Sequence, residues 1–220
     1  MKRIIIICEG ETEQEFCKDV LLPYFISKNI QIQAPLIKKS KGGIVKWNVL
    51  KKEIETYLKN EPEVFVTLLI DFYGIKNKHK FPHWNEITKI QNKQNQLTKL
   101  EAEMQKDIDN SVNQRFIPYI QLHEFEGLLF CNKNIFDRNF ERNEFKDYNY
   151  LIETIDNFPN PEDINDGKNT APSKRLERII EGYNKIVFGS MIAEEIGLKT
   201  IREKATRFNI WINNLEDITN

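Results

Sequence analysis

Arg3-Ile4-Ile5-Ile6-Ile7-Cys8-Glu9-Gly10-Glu11-Thr12-Glu13 is a short apolar run that passes straight into carboxylates. Four consecutive isoleucines suit a strand buried on both faces, the habit of parallel sheets covered by helices. Glu9 stands where that strand ends, and Gly10 permits backbone geometries that other residues resist. Thr12 and Glu15 have the Thr-x-x-Glu spacing of a capping box, which predicts a helix starting at Thr12. Ligands of open α/β sheets bind outside the carboxyl ends of the strands, so Glu9 is a candidate site residue.

The same arrangement recurs twice. Residues 64–70 form a second apolar run, closed by Asp71 and followed by Gly74. Parallel pairing of the two strands would bring Glu9 and Asp71 to one edge of the sheet. A third strand is expected over residues 115–122, with Pro118 arguing for an edge position or a bulge. His123-Glu124-Phe125-Glu126 follows it directly.

Between these strands, Phe16, Val20 and Tyr24 mark a helical face that Pro23 should kink or end. Residues 30–37 alternate like a short strand, and Val49, Leu50, Ile54, Tyr57 and Leu58 mark a helix stopped near Glu61-Pro62. Residues 85–109 read as one long, partly exposed helix with Ile90, Leu97, Leu100, Met104 and Ile108 on its apolar stripe. Lys38-Lys39-Ser40-Lys41-Gly42-Gly43 is either a solvated hinge or a phosphate contact. Residues 75–84 mix Lys76, Lys78, His79, Lys80 and His83 with Phe81 and Trp84. Such a loop can grip single-stranded nucleic acid, or its aromatics can simply anchor it to the core. The histidines lack a ligand spacing on one regular element, so no zinc site is expected.

Composition bounds the function. The chain has 220 residues, 32 Lys and Arg against 33 Asp and Glu, and a net charge of -1, which excludes a globally basic nucleic-acid binder but not a local basic patch. Cys8, Cys17 and Cys131 are odd in number and widely spaced, which suggests a reduced, cytoplasmic protein. The run after Lys2-Arg3 ends at Cys8, too soon for a signal peptide, and nothing later approaches a membrane span. After Cys131 the strand signal fades. Short helices are expected around Ile135-Phe136 and over residues 151–158. Ser173 is a plausible N-cap of a helix carrying Lys174, Arg175 and Arg178, basic residues misplaced for the helix dipole and so candidate phosphate contacts. One or two amphipathic helices finish the chain, with Ile192, Ile196, Ile201, Phe208, Ile210 and Trp211 as apolar positions. The expected organisation is an α/β core over residues 1–131 and a helical extension over 132–220 packed on it.

Glu9-Gly10-Glu11-Thr12-Glu13, Asp71-Phe72-Tyr73-Gly74, the stretch His123 to Phe130 and Thr170-Ala171-Pro172-Ser173-Lys174-Arg175, taken in order, resemble the Toprim family. That family includes type IA and II topoisomerases, DnaG-type primases and OLD-family nucleases. The chain is most similar to small, stand-alone bacterial Toprim-like proteins, and the likeness continues through residues 189–202. The resemblance implies a mainly parallel α/β fold and phosphodiester chemistry on DNA or RNA with Mg²⁺ or Mn²⁺. It also implies an ABC- or SMC-like ATPase partner in antiviral defence; a homodimer is possible on the sequence. On this reading Glu9 is a metal ligand or general base, Asp71 a ligand, Glu124 or Glu126 a third acid, and Glu13 an accessory acid. Lys174, Arg175 and His123 would contact the substrate phosphate. Tyr73 departs from the family's Asp-x-Asp, and tyrosine is a poor Mg²⁺ ligand because it stays protonated near neutral pH. The alternative is a non-catalytic Toprim-like module that binds nucleic acid or the ATPase.

Overall fold

The computed structural model describes residues 1–40, 42–164 and 167–219. Lys41, part of the basic glycine loop, lies outside them. Its sheet holds β1 (Lys2–Cys8), β2 (Ile30–Gln33), β3 (Val64–Leu69) and β4 (Phe116–Ile117), all parallel, in the order β2-β1-β3-β4. The isoleucine run explains the layering. Ile4, Ile6 and Cys8 enter one apolar layer while Ile5 and Ile7 enter the other, because successive side chains of a strand point to opposite faces. β3 repeats the division, with Val64, Val66, Leu68 and Ile70 on the second side and Leu69 on the first. The fold is therefore a mainly parallel α/β sandwich.

One face is covered by α3 (Trp47–Asn60), α4 (Trp84–Ile87) and α5 (Lys93–Asp107). The other carries α1 (Glu11–Phe16), α2 (Leu22–Ser27) and the carboxyl-terminal helices. These are α6 (Lys133–Asn139), α7 (Tyr148–Asn157), α8 (Pro172–Ile179), α9 (Lys185–Lys204) and α10 (Thr206–Glu216). Phe16 packs edge-on against Phe208, and Trp211 stacks on Tyr119 with ring centroids 4.4 Å apart. Helices α6 to α10 thus build one apolar layer jointly with α1 and α2. Among the described residues no helix is long and apolar enough to cross a membrane.

Several local expectations are corrected. The first helix is capped at Gly10, not Thr12, and the acid that returns to its cap is Glu13 rather than Glu15: Gly10 N–H donates to Glu13 Oε2 at 2.9 Å. Gly10 itself is extended (φ -144°), so it needs no special geometry; a Cβ there would lie 3.1 Å from Glu13 Oε2. Pro23 does not end the helix. A π-turn at Cys17–Leu21 widens the spiral ahead of it, with Leu22 N–H donating to the Cys17 carbonyl, and α2 continues to Ser27. The Sγ atoms of Cys8 and Cys17 face each other across this turn at 3.8 Å. The helix expected over residues 85–109 breaks into α4 and α5, because the Asn92 side chain accepts from Asn95 N–H and starts a new helix. β4 is cut short at Pro118, which cannot donate to a ladder, and pairing resumes only as a bridge at Gln121. Ser173 is not an N-cap: Ala171 is, with Pro172 in the first turn, where its missing N–H costs nothing. Ile210 is exposed rather than on the apolar face of α10.

Trp211 Nε1–H donates to Thr67 Oγ1 at 2.9 Å inside the apolar layer, tying α10 to β3. Trp211→Phe leaves that hydroxyl buried without its donor, a loss of about 1–3 kcal/mol in urea unfolding. Adding Thr67→Val should restore part of it. A single variant as stable as the parent would mean that the bond contributes nothing.

Candidate active site

The strand ends are joined by their own carboxylates. Glu9 N–H continues the β1/β3 ladder by donating to the Leu69 carbonyl at 3.1 Å. The ladder's next donor, Asp71 N–H, is taken by the Glu9 side chain, with Oε2 at 3.0 Å. Asp71 repeats the move one strand further on, where its Oδ1 accepts from Phe125 N–H at 3.0 Å. Glu124 Oε2 in turn accepts from Ser173 N–H, in the first turn of α8, at 2.9 Å. Each acid is fixed by the backbone of the element that follows it in space. Glu9 and Asp71 are thereby brought to one edge, as their positions at the ends of paired strands require.

Glu9, Glu13 and Asp71 line a cleft of about 530 Å³ together with Thr12, Gly43 and Lys185. Gly74 makes room at its margin, since a Cβ there would come within 3.0 Å of Glu9 Oε1. Lys185 is the residue that sequence reasoning missed. It opens α9 behind the Asn184 cap, a cation on a first turn where the helix dipole disfavours it, and that misplacement was its only local signal. Ser40 and Gly42 of the glycine loop also face the cleft. Lys38 does not: it lies over the Tyr57 ring at 4.7 Å.

Electrostatically the cleft is over-supplied with acid. Burial, and then the charges of Glu13, Glu9, Glu126 and Glu124, push the Asp71 carboxyl well above the usual range. Burial raises Glu9 and Glu13 as well, outweighing the backbone donors that favour their charged forms. Burial likewise lifts Glu126 to about 7, with the field of Lys185 opposing it. For Lys185, burial works against the charge, but the fields of Glu126, Glu13, Asp71 and Glu9 outweigh it and raise its pKa. Among the described residues Lys185 forms no ion pair within 4.0 Å, so it faces the acids without contacting one.

The expected phosphate contacts stand elsewhere. Arg175 is buried, with Nε donating to the Thr170 carbonyl at 2.8 Å and Nη1 to Thr154 Oγ1 at 3.1 Å, and it lies 5.2 Å from the Tyr150 and Phe158 rings. It ties α7 to α8 and is not among the residues lining the cleft. Lys174 is exposed and pairs with Glu177 at 2.7 Å, and Arg178 pairs with Asp147. His123 is buried in a left-handed turn (φ 68°) and is not among the residues lining the cleft. Tyr73 is 40% exposed and its ring lies beneath Lys76.

The donor set suits a hard dication. Mg²⁺ is commonly held by one or two carboxylates while keeping several waters, and each acid here has one oxygen fixed by backbone and a second not so engaged. Thr12 Oγ1 is also buried in this region without a hydrogen-bond partner. The spacing does not form a closed cage: among the described residues no group of three or more His, Cys, Asp and Glu is arranged to hold a metal ion. The fit is to an open site on Glu9 and Asp71.

A family model described as Domain of unknown function (DUF4276) matches residues 8–216, and the chain belongs to that family. No curated protein and no solved structure matches it.

Glu126 titrates near 7 in the folded chain and near 4 in an unfolded one, so the native state binds more protons between those values. The stability of its neutral form is fully present below about pH 4 and lost as pH rises through about 7. Glu126→Gln keeps that form at every pH. Its Tm should exceed the parent's at pH 8, by an amount corresponding to roughly 3 kcal/mol or less, and converge on the parent's near pH 4. A difference independent of pH would contradict the assignment.

Proposed function

We propose that the chain is a metal-dependent phosphodiester hydrolase of the Toprim type, a nuclease serving bacterial antiviral defence with an ABC- or SMC-like ATPase. The observation that carries the chemical part is the contact between the ends of β1 and β3, where Glu9 Oε2 accepts from Asp71 N–H at 3.0 Å within an acid-lined cleft. The ATPase and the defence role rest on the sequence resemblance alone.

Glu9 and Asp71 would hold Mg²⁺ or Mn²⁺, which when bound would neutralise phosphate charge and lower the pKa of an attacking water, while Glu124, fixed on Ser173 N–H, stands outside the cleft lining. The chain's own groups supply the rest. Backbone donors orient the acids, so the oxygens are aimed before substrate arrives. Glu126, titrating near neutrality, is suited to receive a proton. Lys185 takes over the phosphate contact expected of Lys174 and Arg175, since its ammonium faces the cleft unpaired.

A second reading, the non-catalytic Toprim-like module, is favoured by Tyr73 and by the open spacing of the acids among the described residues. The two readings separate in one set of measurements. Purified chain with Mn²⁺ or Mg²⁺, with and without the ATPase, should cleave DNA or RNA. Asp71→Asn and Glu9→Gln should lower the rate about 100-fold or more, and Lys185→Met by a similar factor. Calorimetry should find Mn²⁺ uptake that Asp71→Asn abolishes. Cleavage untouched by these substitutions would mean that the chemistry lies elsewhere, and absence of both cleavage and metal uptake would favour the module.

A further inference from the structure

The loop that leaves Asp71 has no part in the reading above. Lys76, Lys78 and Lys80 put three exposed ammonium groups into five residues, and none has a carboxylate within 4.0 Å among the described residues. Lys51, Lys59 and Lys106 pair with acids, whereas Lys46, Lys52, Lys89 and Lys133, like the loop lysines, form no ion pair among the described residues; what sets the loop apart is the spacing of three such lysines in five residues. Lys78 and Lys80 line a concave cleft of about 590 Å³ with Asn77, Phe81, His83, Trp84 and one acid, Glu86, which is engaged by His83 Nδ1. Phe81 is the anchor: it is buried and sits 5.4 Å from Trp47. Trp84 is only half-buried, packed on the edge of the second apolar layer with its ring 5.8 Å from that of Phe72. Phe72 follows Asp71 directly, so this cleft is tied to the acidic edge through a single residue.

The backbone is bent to make it. Lys80 (φ 53°) and His83 (φ 50°) are both left-handed, a region that costs energy for any residue with a Cβ. They bracket the Phe81 anchor in sequence, and both line the cleft. His83 is not counted as a cation for the ligand, since its Nδ1 is 2.7 Å from Glu86 Oε2.

We propose that this cleft binds single-stranded nucleic acid beside the acidic site, with Lys78 and Lys80 on successive phosphates and a base stacked on Trp84. Unpaired ammonium groups around a recessed aromatic ring match a chain of phosphates and bases. A duplex keeps its base faces stacked away from such a ring, and an acidic peptide has no use for it. The inference rests on the phosphodiester reading for the bond lying next to it. The lysines also offset the field of the acids, which alone would repel a polyanion.

The test is fluorescence anisotropy on the full chain in EDTA, with a short labelled oligonucleotide as single-stranded DNA, single-stranded RNA and duplex, over a series of salt concentrations. Lys78→Ala/Lys80→Ala should weaken single-strand binding about 10-fold or more. It should also reduce the slope of log affinity on log salt by about 1.4, at about 0.7 per phosphate contact. Trp84→Leu should weaken binding about 5-fold or more and leave the slope unchanged. Both lysines are exposed, so the double variant carries the test if circular dichroism shows that Trp84→Leu unfolds. Parent-like binding by the double variant overturns the proposal, as does tighter binding of duplex. So does displacement by polyglutamate as effective as by unlabelled oligonucleotide, which would point to an acidic protein segment. Because no metal is present, parent-like binding by the double variant of a chain that cleaves with Mn²⁺ sinks this site alone. Intact lysine-dependent binding by a chain that never cleaves sinks the hydrolase and leaves the site standing.

Discussion

The site depends on one repeated hydrogen bond: a carboxylate oxygen at the end of one element accepting a backbone N–H of the next. Glu9 takes Asp71 N–H, Asp71 takes Phe125 N–H, and Glu124 takes Ser173 N–H. Burying a carboxylate without partners costs several kcal/mol, and these donors offset part of that cost. They also set the order of the parts. Glu9 can reach Asp71 only because β1 and β3 are adjacent and parallel, and Asp71 can reach Phe125 only because the bridge at Gln121 holds the third segment beside β3.

What the donors leave uncompensated is the mutual repulsion of the acids. Glu9, Glu13, Asp71 and Glu126 are all raised by burial, and the described surroundings offer Lys185 as the cation facing them. The sandwich tolerates this because its two apolar layers are continuous. Phe16, Phe208 and Trp211 on one side, and Trp47, Phe81 and Met104 on the other, enclose the sheet whose edge carries the charge. Stability is held in the layers and given up at the strand ends, the usual division between scaffold and site.

The central part of this design was legible in the chain. An apolar run too uniform for a surface strand, closed by an acid, twice over, predicts buried parallel strands with carboxylates at one end. Its readability comes from being local: each strand and its acid are contiguous. Lys185 lies more than a hundred residues from Asp71, and only a weak clue, a cation at a helix start, marked it. The same clue misled at Arg175. A guanidinium on a first turn can face a ligand or fold back under its own helix, and Thr154, with the Tyr150 and Phe158 rings, decided for the second. The capping register failed for a similar reason. Thr12 and Glu15 had the right spacing, but Gly10 and Glu13 share it, and room beside Gly10 let Glu13 turn back.

A backbone N–H asks its acceptor for an oxygen lone pair, not for a negative charge. An amide side chain in place of Glu9, Asp71 or Glu124 can still offer a carbonyl oxygen to the same donor. Architecture and reactivity are therefore separable along this edge. A descendant could shed its ionic character residue by residue while the strands stayed in register, losing the charge of this edge without crossing an unfolded intermediate.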